Sequence, residues 1–316
     1  MALLAHELGL AGCRVAICGR DEMELARGAA QLESAGIQVL PLTCDITDPA
    51  AVERMVATTT ARYGRIDILI NNAGIIQSKP LGATNRADFE ASMDTMFWGL
   101  YTVTMAVLPA MQERGSGRIG NITSLGGKIS VPHLLPYCAA KFAATGFSEG
   151  LQAELTGSGV TVTTIIPGLL RTGSCVNAFV GGQPELEYPI FVVASSDPLL
   201  SMDARRAAKQ AIEAVRRGQA ERILGVPALL LAKSHGISPN ATAPLLGLAA
   251  RILPGARQGD RSSTQGRNVS ALMNRGPLRL LTALGWSAVR RNNELPEPEI
   301  PADNTHHPGE RPAARP

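Results

Sequence analysis

No apolar run in the 316 residues reaches the roughly 18–20 residues that a helix needs to cross a bilayer. The N-terminus also lacks the basic, apolar and small-residue order of a secretory signal. Cysteine is sparse. Cys13, Cys18, Cys44, Cys138 and Cys175 share no metal-type spacing, so free, buried thiols are expected rather than disulfides or a metal site. A strong charge of either sign is missing too. A net charge of +3, with 18% charged residues, excludes the basic excess of a nucleic-acid-binding chain. From Ala256 onward nine Arg stand against six Asp or Glu, so that part carries the whole excess. No internal repeat is visible. These absences lead to the expectation of a cytoplasmic protein that binds no nucleic acid.

What is present is a hydrophobic fraction of 45%, enough for one large α/β domain with an appendage. Strand-like and helix-like segments alternate through about residue 230, which predicts a doubly wound parallel sheet with helices on both faces. Strands are expected at Arg14–Cys18, Gln38–Thr43, Ile66–Ile70, Arg118–Ile122, Val160–Ile166 and Arg222–Val226. Ile66–Ile70 in particular reads as a strand buried on both faces. Helices are expected over Glu22–Ser34, from Asp48-Pro49 to Tyr63, over Pro136–Thr156 and over Asp203–Arg217. Residues 231–295 read as a helical extension, with helices at Ala241–Leu253 and Leu278–Arg291. Proline, charge and few large apolar groups predict a disordered tail over 296–316, in which His306-His307 is a solvated pair and not a metal site.

Tyr137 and Lys141 stand four residues apart on an expected helix, so their side chains share a face. An ammonium beside a phenol favours the phenolate and lowers its pKa, which suits proton exchange with a carbonyl or an alcohol. Ser124 lies thirteen residues earlier, just past a strand, where its hydroxyl can hold a substrate oxygen. Asn71-Asn72-Ala73-Gly74 follows another strand, and its small residues let the backbone approach a ligand. Pro167-Gly168, followed by Thr172, ends a third. All lie at C-terminal strand ends, the edge at which open α/β sheets bind ligands.

Taken in this order and spacing, NNAG, the serine, YxxxK and PG-x-x-x-T resemble the short-chain dehydrogenase/reductase family over about residues 1–230. The resemblance implies a Rossmann-type oxidoreductase that moves a hydride between a nicotinamide cofactor and a carbonyl or secondary alcohol. It implies Tyr137 as the acid/base, Ser124 as the residue positioning the substrate oxygen and Lys141 on the nicotinamide ribose. Asn71, Ala73, Gly74, Pro167 and Gly168 would line the cofactor site, Asp45 would contact the adenine, and Thr172 would hold the nicotinamide side. A homo-oligomer is expected. Arg20 follows the Arg14–Cys18 strand where an NAD enzyme would carry an acid, so its guanidinium fits the 2′-phosphate and NADP is expected over NAD. Asp21 reads as a helix N-cap.

Two departures stand out. The family pattern opens with a strand and a Thr-Gly-x-x-x-Gly-x-Gly turn, whereas Met1 here begins what resembles the second half of the following helix. A gap is therefore expected between the Arg14–Cys18 and Ile66–Ile70 strands, with loss of the amide cradle and helix dipole at the cofactor's pyrophosphate. Met96 replaces the asparagine that would help a proton relay, and a packing role is expected for it. The rival reading is a non-catalytic interaction protein on a degraded Rossmann core. Between Thr172 and Met202, Val176, Phe179, Val180, Phe191, Val192 and Val193 suggest either a hydrophobic substrate lid or plain core packing. Leu278, Leu281, Leu284 and Trp286 on Leu278–Arg291 could touch a membrane surface, but docking on the protein's own body or a second subunit is the favoured reading.

Overall fold

A computed structural model of the chain describes residues 2–256, 262–270 and 276–292. The expected tail over 296–316, with His306-His307, lies outside the described residues. The chain runs α1 (Ala2–Leu10), β1 (Val15–Gly19), α2 (Glu22–Ser34), β2 (Val39–Thr43), α3 (Pro49–Tyr63) and β3 (Ile68–Asn71). It continues through α4 (Arg86–Met93), α5 (Gly99–Glu113), β4 (Gly117–Ile122), α6 (Leu135–Glu154) and β5 (Val160–Pro167). Next come α7 (Pro184–Ser196), α8 (Ala204–Arg216), β6 (Glu221–Leu224), α9 (Val226–Ile237), α10 (Pro239–Ile252) and α11 (Gly276–Arg291).

The six long strands form two parallel pieces. One has the order β6-β5-β4-β3; the other is β1 with β2. Crossover helices cover the faces, as parallel connections require. Val107, Leu108 and Met111 of α5 pack on Ile119 and Val162, while Ala207, Ala211, Ala214 and Val215 of α8 pack with Ile165 and Leu224. The alanine stripe lets α8 lie close to the sheet. Val15 and Ile17 of β1 have their own small core with Leu25, Ala29 and Leu32 of α2 and Ala5 of α1.

The expected gap is present. β1 and β3 share no ladder, and a cavity of about 500 Å³ runs between them, walled by Val15–Cys18 on one side and Ile68–Asn71 on the other. The expectation for Ile66–Ile70 needs correction here. All four residues of β3 are only half-buried, because the strand is an edge facing the slot rather than a strand covered on both faces.

Helix boundaries follow local chemistry. Asp48 and Asp21 cap α3 and α2 by accepting from the amides of Ala50 and Glu24 at 2.9 and 2.8 Å, so Asp21 takes the cap role read from sequence. Three two- or three-residue strands (Gln77–Ser78, Phe179–Gly181, Ser263–Gln265) form a separate small sheet, and Leu169–Arg171 pairs with Ser201–Asp203. Helix α9 was not expected from sequence; the anticipated boundary at residue 230 falls within it. Leu278–Arg291 belongs to α11, which docks on the body: Trp286 and Val289 are buried with Val176, Tyr188 and Val192. None of the five cysteines forms a disulfide.

Candidate active site

The C-terminal strand ends converge on a cleft of about 830 Å³. Ser124 sits just past β4 and Tyr137 in the first turn of α6, where Pro136 has no amide to leave unsatisfied. Lys141 follows one turn later. The Ser124 hydroxyl is in hydrogen-bond contact with the Tyr137 phenol and also accepts from the Gly126 amide at 3.1 Å. Lys141 Nζ donates to the Ile122 carbonyl at 2.9 Å and lies 5.8 Å from the centroid of the Tyr137 ring.

Burial dominates the electrostatics. It pushes the Tyr137 phenol up to about 12, against a smaller downward pull from the Ser124 hydrogen bond. It lowers the Lys141 ammonium to about 8. The expectation that Lys141 lowers the phenol's pKa is therefore not met in the free protein. Its charge lies over the ring face, and desolvation of the phenolate outweighs it.

The cleft gathers Arg20, Gly74, Ser124, Tyr137, Lys141, Pro167, Gly168 and Thr172. Asn71, Ala73 and Asp45 are not among its walls. Asn71 and Ala73 face the slot beside β3. The Asn71 amide donates to Asn121 Oδ1 at 2.8 Å and Thr104 Oγ1 at 2.9 Å, tying β3 to β4 and α5. Asp45 accepts from the amide and hydroxyl of Thr47 and lies 3.9 Å from Arg20. Met96 is buried, and a Cβ on Gly74 would stand 3.5 Å from its sulfur and 3.8 Å from Lys141 Nζ. The sulfur thus packs in the wall behind Lys141, as the packing role requires. Gly168, unlike Gly74, has no room for a side chain: a Cβ there would come within 2.7 Å of Ala228 on α9.

These residues fit a dinucleotide. Arg20 is exposed on the wall beside the end of β1, and Gly74 lets backbone approach next to Lys141. Ala2 and Leu3 of α1 also line the cleft.

Sequence reasoning missed one pair. His133 Nδ1 and Glu187 Oε1 are 2.5 Å apart in the cleft wall, joining the loop before Tyr137 to α7. Glu187 is 3% exposed, and His133 is the one non-glycine described residue with positive φ, 65°. The partners are 54 residues apart, so no spacing rule could pair them. Of the six apolar lid candidates, Phe191 lines the cleft, whereas Val176, Val180 and Val192 pack in the core around Tyr188 and Trp286.

The family model described as short chain dehydrogenase matches residues 2–179, more than half of the chain. The chain belongs to the short-chain dehydrogenase family. Among its relatives is a putative ketoacyl reductase of Streptomyces coelicolor, 41% identical over 175 residues, which are 54% of this chain and 66% of that protein. The chain spans less than two-thirds of the length of the curated relatives it matches first. Solved family members are similar too. A variant of actinorhodin polyketide ketoreductase with NADPH matches at TM-score 0.63 and 29% identity, over 71% of this chain and 90% of that one. A gluconate 5-dehydrogenase from Burkholderia cenocepacia, in complex with NADP and tartrate, matches at TM-score 0.60 and 26% identity, over 71% and 88%. The fold is that of the Rossmann-type members, a parallel α/β sheet between helices.

Proposed function

We propose that the chain is an NADP(H)-dependent oxidoreductase that interconverts a ketone and a secondary alcohol on an apolar substrate. The observation that carries this reading is the convergence of Ser124, Tyr137 and Lys141 on one cleft that also holds Arg20. NADP(H), when bound, supplies or takes up the hydride. Tyr137 gives its proton to the carbonyl oxygen as the alcohol forms and takes it back in the opposite direction. Ser124 donates to that oxygen and holds it at the phenol. Lys141 holds the ribose hydroxyls, and its cation offsets the charge left on Tyr137. Arg20 pairs with the 2′-phosphate, with Asp45 beside it toward the adenine; Gly74, Pro167 and Gly168 line the cofactor site and Thr172 holds its nicotinamide side, while Asn71 and Ala73 support that site from the slot beside β3.

The bound NADPH and NADP of two solved relatives support this cofactor, and the names of the ketoacyl and polyketide reductases support a ketone within an acyl-like chain. Phe191, Ile190, Leu231 and Leu253 give the cleft an apolar end for that chain. The catalytic unit is the sheet-bearing part through about residue 230, with 231–295 as an extension to it, and the setting is cytoplasmic. Self-association uses α5 and α6, where Trp98, Tyr101, Met105 and Phe142 are exposed around a ring cluster with Phe97 and Phe147.

The slot between β1 and β3 favours one rival, a non-catalytic interaction protein on the same fold. Assay of NADPH oxidation against a panel of apolar ketones separates the two. Turnover that disappears in Tyr137→Phe supports the enzyme; NADPH binding without turnover of any ketone supports the rival.

A further inference from the structure

The hairpin of α9 and α10 is built inside out. α9 attaches to the body through its small side chains, Ala228 and Ala232, both buried. Of its large ones, Leu231 reaches the cleft and the others point away. Val226, Leu230, Lys233 and Ile237 recur at helical spacing along one stripe, as do Leu245, Leu248 and Ile252 on α10. All six apolar members are more than half exposed, Ile237 at 85% and Ile252 at 79%. His235 Nδ1 and Thr242 Oγ1, 2.6 Å apart, fasten one helix to the other, so the two stripes belong to one unit. A helix serving only its own core would bury these side chains and expose the alanines.

Charge indicates what covers the surface. No Asp or Glu occurs between Glu221 and Asp260, while Lys233 and Arg251 are exposed on the hairpin; Lys233 lies 4.0 Å from Glu221, a carboxylate that Lys128 also shares, so the hairpin keeps a positive excess. A second copy of the hairpin packed isologously would set cations against cations, with only Glu221, already shared by Lys128 and Lys233, to offset them. An anionic lipid surface satisfies both the leucines and the cations. Among the described residues no helix is long and apolar enough to cross a membrane, so the contact is interfacial. The position is also telling: Leu231 of α9 and Leu253, just past α10, line the cleft that holds Ser124 and Tyr137.

We propose that the α9–α10 hairpin seats the protein on an anionic bilayer surface, with the cleft mouth turned to the lipid. An apolar ketone or alcohol dissolved in the bilayer then reaches Tyr137 without crossing water. This substrate clause rests on the function proposed above; the seating itself does not.

Co-sedimentation of the full chain with phosphatidylcholine vesicles, with and without phosphatidylserine, tests the seating. The expected result is binding to the serine-containing vesicles at least ~10-fold tighter than to pure phosphatidylcholine, weakened by high salt. The Leu245→Glu/Ile252→Glu double variant loses this binding while keeping its NADPH affinity, and Leu281→Glu on α11 leaves the binding unchanged. Equal affinity for the two vesicle types overturns the anionic surface. A wild-type dimer that the double variant turns into monomer, without vesicle binding by either, overturns the bilayer in favour of a second copy. Vesicle binding by a protein that fails to bind NADPH would sink the proposed activity and leave the seating intact.

Discussion

Lys141 Nζ lies 5.8 Å from the centroid of the Tyr137 ring, yet its hydrogen bond goes to the Ile122 carbonyl at the end of β4. The ammonium is therefore fixed to the sheet, one helical turn from the phenol, in a buried site that lowers its pKa to about 8.

That burial opposes folding. Below about pH 8 Lys141 is charged in both the folded and the unfolded chain, and the full desolvation penalty applies. Between about 8 and the ordinary 10.5 only the folded chain releases the proton, so stability should rise with pH in that window. Lys141→Met should stabilise the free protein at neutral pH by on the order of 1–3 kcal/mol, with the gain gone above pH 10.5. Urea unfolding of both proteins across this range measures it. A variant less stable at pH 7 would show that the hydrogen bond to Ile122 outweighs the desolvation.

Tyr137→Phe removes the proton donor and little volume. Turnover should fall to near background while NADPH affinity, measured by titration calorimetry, stays within about twofold. Unchanged turnover would remove Tyr137 from the mechanism.

Arg20→Asp should weaken NADPH binding by about 1.5–3 kcal/mol, the range for a hydrogen bond to a charged group, and favour NADH. Equal losses for the two cofactors would mean that Arg20 serves the fold, through Asp45, rather than the 2′-phosphate.

Breaking the His133–Glu187 pair leaves a buried polar partner without its hydrogen bond. Glu187→Ala should destabilise the protein by about 1–3 kcal/mol, and Glu187→Gln, which keeps a hydrogen-bonding group, by less. Denaturant midpoints decide between this and a surface-like pair, for which both variants would match wild type.

The sequence was most legible where chemistry is local. Helix α2 was read over its observed span, and the Tyr137–Lys141 spacing, the Asp21 cap and the strand-end positions of Ser124 and Pro167 all follow from rules that act over a few residues. Contacts between distant segments were not legible. Glu187 meets His133 only because α7 folds back over the loop before α6, and Val176 and Val192 turned inward because α11 brings Trp286 against them. The pKa of Tyr137 was missed for a related reason: spacing shows that a lysine is near but not that the phenol is buried. Helix α9 spans the point where the expected strand Arg222–Val226 ends and the expected helical extension from residue 231 begins, so neither reading contained it whole.

The slot between β1 and β3 makes the protein mechanically two-lobed. The smaller lobe, β1 and β2 with α2, meets the larger through α1 against α8 and through α3 against α5, not through a continuous ladder. Arg20 belongs to the smaller lobe, while Tyr137 and Lys141 belong to the larger. A nucleotide gripped at both ends would brace one lobe against the other, so part of its binding energy would appear as stiffness. Amide exchange should then slow together in β1 and β3 on adding NADPH, including at Val15 and Ile68, the strand ends farthest along the chain from Arg20 and Asn71.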